Sequence, residues 1–230
     1  MAGHSHAKNV MHRKAAQNSK KAKIYTKISR AITLAIKAGG SIDPDSNPKL
    51  RLALRQAQVA GVPKEVIKRS IDKSAQADNE EEILYEGYAP GGIAVLVETI
   101  TDNKVRTASE IRSIFSKYGG AMAEPNSVAF MFDKVAQIEC EVPEDQFEAF
   151  FEYAVEGNAT DVIENMAIFA PENYHSAQEY LETKFPVVNS EFCYIPQNLI
   201  ENEKTEGFQK LIDVLEDNEN VQNCWHNLKI

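Results

Sequence analysis

A division of charge near residue 77 constrains this chain more than any other feature. Residues 1–77 carry 16 Lys and Arg against 4 Asp and Glu, whereas the remainder carries 9 against 30. The formal net charge of -9 therefore conceals a head of +12 and a body of -21. A polyanion suits such a head, because each phosphate it neutralises releases condensed counterions and adds affinity without a shaped pocket. The acidic body would repel the same ligand, which confines contact to one end. No carboxylate precedes Asp43, although Lys8, Arg13, Lys14, Lys20, Lys21, Lys23, Lys27, Arg30 and Lys37 do. Exposed helices ordinarily mix signs to gain pairs four residues apart, and a polyanionic partner would relieve the repulsion left here.

The apolar pattern predicts helices in the head. Over residues 19–38, Ile24, Ile28, Ala31, Ile32, Ala35 and Ile36 recur at three- and four-residue spacings, and Gly39 and Gly40 close the run. The first 18 residues read as a basic arm without assigned order. Asn47 and Pro48 open a second helix that ends at Gly61, and Pro63 opens a third carrying Ile67 and Ile71. Three short amphipathic helices make a small bundle. The acidic run 78–82 reads as a linker, and beyond it the period changes. Strands are expected at 83–89 and 93–100 around Pro90-Gly91-Gly92, then a helix started by Asp102 or Asn103 and stopped at Gly119-Gly120. Strands at 127–132, 135–142, 165–170, 192–195 and 221–228 alternate with helices after Pro143, over 172–184 and over 204–217. Short alternating units of this kind predict two small α+β domains.

The chemistry-bearing residues argue against an enzyme. His4, His6 and His12 sit in a basic segment with no carboxylate nearby, so phosphate contact suits them better than a metal. The acidic runs fall at helix starts and linkers, where charge meets water. Pro90-Gly91-Gly92 lacks the spacing of a phosphate loop, and no G-x-S-x-G elbow is present. No catalytic residue, metal or cofactor is expected. Cys140, Cys193 and Cys224 form neither a disulfide framework nor a zinc ribbon, and no stretch reaches 18 apolar residues, so a reducing cytoplasm is expected, with no membrane association.

Several segments together resemble one family. They are Met1-Ala2-Gly3-His4-Ser5, His12-Arg13-Lys14-Ala15-Ala16-Gln17, Asn47-Pro48-Lys49-Leu50-Arg51-Leu52-Ala53 and Tyr85-Glu86-Gly87-Tyr88-Ala89-Pro90-Gly91-Gly92. Thr101-Asp102-Asn103, Ile195-Pro196-Gln197-Asn198 and Val221-Gln222-Asn223 with His226-Asn227 follow in order. On these the chain resembles the YebC/TACO1 family. The resemblance implies an α+β protein: a helical bundle domain over 1–77, an α+β domain over 83–134 plus 193–230, and a ferredoxin-like α+β domain over 135–192 inserted in it. It also implies a non-enzymatic regulator of gene expression, either a transcriptional regulator that binds duplex DNA or a translational activator that binds ribosomal or transfer RNA. His6 and Ala7 stand where relatives carry Lys and an aromatic residue, which removes a platform for stacking on a base. The expected nucleic-acid contacts are His4, Lys8, His12, Arg13, Lys14, Lys20, Lys21, Lys23, Lys27 and Arg30. Protein partners are expected on the acidic domains.

Overall fold

The computed structural model describes residues 3–74, 80–201 and 206–229, with side chains from residue 21 onward, Pro48 apart. Three helices come first: α1 (Gly3–Gly39), α2 (Pro48–Val59) and α3 (Lys64–Ser74). The spacing that predicted α1 also packs it. Ile32, Ala35 and Ile36 are buried against Leu50, Ala53 and Ala57 of α2 and Val62, with Ile67 and Ile71 of α3 at the margin. Asn47 joins the parts, since its Oδ1 accepts from Leu50 N at 3.1 Å while its Nδ2 donates to Ala35 O and Ser41 O at 2.9 and 2.8 Å. It thereby caps α2 and satisfies a carbonyl near the end of α1. Gly39 makes this possible, because a Cβ there would collide with the Asn47 amide. The helix begins at Gly3, earlier than its apolar period announces. Residues 3–18 lack apolar periodicity but include three Ala, two Lys, an Arg, a Gln and a Met, all good helix formers, and contain no Pro, so helix propensity outweighs repulsion of a few tenths of a kcal/mol per like pair.

The first sheet has the order β3-β1-β2-β8 and is antiparallel throughout. Its strands are β1 (Glu81–Ala89), β2 (Ile93–Thr101), β3 (Ala121–Met122) and β8 (Val221–His226). β1 and β2 form a hairpin whose turn uses Gly91 and Gly92 at φ of 84° and 76°. Glu81 and Glu82, expected in a linker, belong to β1 and are exposed at its open end. One face of the sheet is covered by α4 (Lys104–Lys117) and α7 (Glu206–Asp217), which bury Ile111, Phe115, Phe208, Leu211 and Leu215 against Ile93, Val95 and Val97. Asn103 caps α4 by accepting from Arg106 N at 3.1 Å. On the other face, Ala94 and Leu96 meet Val128, Phe132, Tyr194 and Trp225. Burial on both faces explains why β2 reads as a nearly continuous apolar run.

Between β3 and α7 the chain builds a second sheet from β4 (Phe132–Cys140), β5 (Asp161–Ile163), β6 (Met166–Phe169) and β7 (Val187–Pro196). Its order is β5-β6-β4-β7, all pairs antiparallel. Helices α5 (Phe147–Glu156) and α6 (Tyr174–Glu182) supply Phe150, Ala154, Tyr174, Ala177 and Leu181 to its core. This βαββαβ arrangement is ferredoxin-like and is inserted before α7 and β8 return to the first sheet. The strand expected at 127–132 is instead a loop leading into a 3-10 turn at Ala129–Met131. Glu86 on β1 organises it: the carboxylate is 4% exposed and accepts from Asn126 N, Val128 N and Ala129 N at 2.5, 2.6 and 2.7 Å. Amide groups that would have joined a ladder are satisfied by that side chain.

Candidate nucleic-acid interface

Helix α1 presents Lys23, Lys27 and Arg30 at four- and three-residue spacing, so they share one stripe. The stripe lies against the C-terminal end of α7 and the turn into β8. Lys23 pairs with Asp217 at 3.1 Å, and Lys27 Nζ donates to Glu216 O at 2.8 Å. Arg30 Nη1 donates to Asn220 Oδ1, Glu219 O and Ile100 O at 2.5, 3.0 and 3.3 Å. A helix C-terminus offers unpaired carbonyls and the negative end of its dipole, which is why cations collect there. Burial draws the pKa of Lys27 below its ordinary value, against an upward pull from Cys224, Glu216 and Asp217. A second tie comes from α2, where Arg55 pairs with Glu182 of α6 and donates to Val187 O at 2.7 Å. The basic helices are thus fastened to both sheets.

Lys21 stays exposed on α1. His4, Lys8, His12, Arg13, Lys14 and Lys20 belong to α1 by backbone, and their side chains lie outside the described residues. Another set of cations escaped the sequence reading: Lys64, Lys68, Arg69 and Lys73 of α3 are all exposed. Glu65 and Asp72 interleave with them and give α3 the look of an ordinary mixed-sign face. None of the four cations forms an ion pair within 4.0 Å among the described residues. The available signal was the four-residue spacing of Lys64 to Lys68 and of Arg69 to Lys73. A groove of about 350 Å³ separates α3 from α1, lined by Tyr25, Thr26 and Ser29 on one side and Val66, Arg69 and Lys73 on the other.

The opposite sign prevails where the helices meet the sheets. A cleft of about 240 Å³ is walled by Ala31, Leu34 and Leu52 and faced by Glu82, Glu98 and Glu191. Burial pushes the pKa of Glu98 up to about 7; Asn223, which donates to its Oε2 at 2.8 Å, and Lys134 act downward, and Glu82 acts upward. Glu191 is also raised, by burial and then by Glu139. Gln222 Nε2 is buried in the same region without a hydrogen-bond partner. Among the described residues no group of three or more His, Cys, Asp or Glu could hold a metal ion. Burial pushes the thiols of Cys140, Cys193 and Cys224 up to about 12, 11 and 12, so they stay protonated and weakly nucleophilic at neutral pH. No helix among those described is long and apolar enough to cross a membrane.

Basic helices fastened to a pair of acidic sheets, the second inserted in the first, define a class of protein that comparison identifies. The chain belongs to the TACO1/YebC family: residues 5–77 match its N-terminal domain and residues 80–228 its second and third domains. A probable transcriptional regulatory protein of Latilactobacillus sakei is 43% identical over 98% of this chain and 96% of its own length. One of the same description from Rickettsia bellii is 42% identical over 100% and 94%. The crystal structure of a conserved hypothetical protein from Aquifex aeolicus superposes with a TM-score of 0.81 at 35% identity, covering 91% of this chain and 90% of that one.

Proposed function

We propose that this protein is a non-enzymatic regulator of gene expression that acts in the cytoplasm by binding nucleic acid through its N-terminal helices, with duplex DNA as the ligand. The observation that carries this reading is the segregation of charge, with exposed cations on α1 and α3 and carboxylates lining the cleft against the sheets. Lys and Arg side chains of this kind engage phosphates and so position a protein on nucleic acid without reading its bases. The names of the relatives from Latilactobacillus and Rickettsia support the transcriptional role. His4, Lys8, His12, Arg13, Lys14, Lys20 and Lys21 supply contacts along α1, and the acidic sheets are left to face protein partners. Free, protonated thiols suit a reducing compartment.

Ultraviolet crosslinking of the tagged protein in its native cells, followed by sequencing of both the DNA and the RNA recovered, tests the reading. Reads concentrated at promoters support it. Reads concentrated on ribosomal or transfer RNA overturn the DNA assignment and make the protein a ribosome-associated translational activator.

A further inference from the structure

We infer that α3, together with the flank of α1 across the groove from it, is the surface that grips the sugar-phosphate backbone. The inference rests on the nucleic-acid reading above and assigns the grip to Lys64, Lys68, Arg69 and Lys73.

Availability is the first argument. Lys23, Lys27 and Arg30 are engaged with α7 and the turn after it, Arg51 donates to Pro44 O at 3.1 Å and Asp45 O at 3.3 Å, and Arg55 is held by Glu182 and Val187. An incoming phosphate would have to displace each of those contacts. The four cations of α3 are exposed, and neither Glu65 nor Asp72 comes within ion-pair distance of them. Lys64 with Lys68 and Arg69 with Lys73 are like charges one turn apart, and with four cations to two carboxylates α3 keeps a net positive charge.

Shape is the second argument. Arg69 and Lys73 line one wall of the groove, and Ser29 on the facing wall has a hydroxyl without a hydrogen-bond partner among the described residues. A cationic wall opposite a free hydroxyl is a combination that receives phosphate oxygens. Glu80, the carboxylate in the lining, is half-buried, and Arg30 lines the same groove beside it. The helical period places Thr26, Ser29 and Thr33 on the side of α1 away from Ala31, Leu34 and Ala38, which wall the acidic cleft. A polyanion in the groove is thereby kept from Glu82, Glu98 and Glu191.

The test is fluorescence anisotropy with the full chain, using a labelled 20-base-pair DNA duplex and a single-stranded RNA of matching sequence, titrated between about 50 and 300 mM KCl. Each phosphate contact contributes a log-log slope of about 0.9 on duplex and about 0.7 on single strands. R69Q/K73Q should lower the duplex slope by about 2, and K64Q/K68Q/R69Q/K73Q by between about 3 and 4, with at least a tenfold loss of affinity near 100 mM salt. A stronger effect on the RNA than on the duplex would make the backbone single-stranded and leave the surface as assigned. The charge-matched K104Q/R112Q, on exposed residues of α4 whose side chains have no partner among the described residues, should leave both slopes unchanged. Unchanged slopes in R69Q/K73Q, with wild-type binding intact, overturn the inference and leave the nucleic-acid reading standing. Equal losses in K104Q/R112Q also overturn it, since net charge alone would then account for binding. Absence of wild-type binding to either ligand at 50 mM salt removes the reading and the inference together. Hydrogen exchange on the unmutated protein gives an answer independent of variant folding: slowed exchange in α3 on adding duplex supports the grip, and slowing confined to other elements overturns it.

Discussion

At the scale of single residues, two carboxylates of the first sheet play opposite roles. Glu86 is buried and its carboxyl oxygens accept from three backbone N–H groups, one of them the buried Val128 N, so Glu86→Ala removes three hydrogen bonds at once. A stranded buried donor costs about 1 to 3 kcal/mol and the part-buried ones less, so a loss of about 2 to 4 kcal/mol is expected in urea unfolding. Glu98 is buried beside Glu82 and holds a proton to a pH of about 7, whereas the unfolded chain releases it near 4.5. Between those values the folded state binds the extra proton, so stability falls as pH rises through the window and is level above it. Glu98→Gln keeps an oxygen for Asn223 and removes the titration. The variant should gain on the order of 1 to 3 kcal/mol over the wild type at pH 8 and nothing at pH 4, as read from unfolding curves at the two values. His226, whose pKa burial lowers, has the opposite pH dependence but is common to both proteins and cancels in the difference.

At the scale of elements, the sequence announced those whose period or caps are strong. Asn47-Pro48 and Asn103 start helices as their chemistry dictates, and the apolar run 93–100 is the central strand its composition implies. Elements without a period were not legible: β3 and β5 span two and three residues, too few to alternate, and the first half of α1 has no apolar stripe. The loop at 126–129 could not be read locally because its partner, Glu86, lies 40 residues away in sequence. The same distance problem hid the fate of Arg30, which counts as one more cation in the head until α7 is seen against it. Arg30→Ala removes a guanidinium shared by Ile100, Glu219 and Asn220. A loss of about 1 to 3 kcal/mol is expected, with faster hydrogen exchange at the turn between α7 and β8. Unchanged exchange there would show that the helices are held by Lys23, Lys27, Arg55 and apolar contact without Arg30.

At the scale of the whole molecule, the division of charge was fully legible, and so was the α+β class, because both are sums over many residues. Which cations remain open to a ligand was not legible, because that depends on where α7 and β8 return after the second sheet has been inserted. The arrangement explains how one chain carries both signs. Part of the positive charge is engaged internally, by the end of α7 and by Glu182, and among the described residues exposed cations remain on Lys21, Lys37, Lys49 and α3. The most direct test of the central claim is photo-crosslinking of the full-length protein to a 20-base-pair duplex and to a matching single-stranded RNA, with the crosslinked peptides mapped by mass spectrometry. Crosslinks within residues 3–74 are predicted with whichever nucleic acid binds. Crosslinks concentrated within residues 80–229 would contradict the account, since the acidic sheets would then be making the contact assigned to the basic helices.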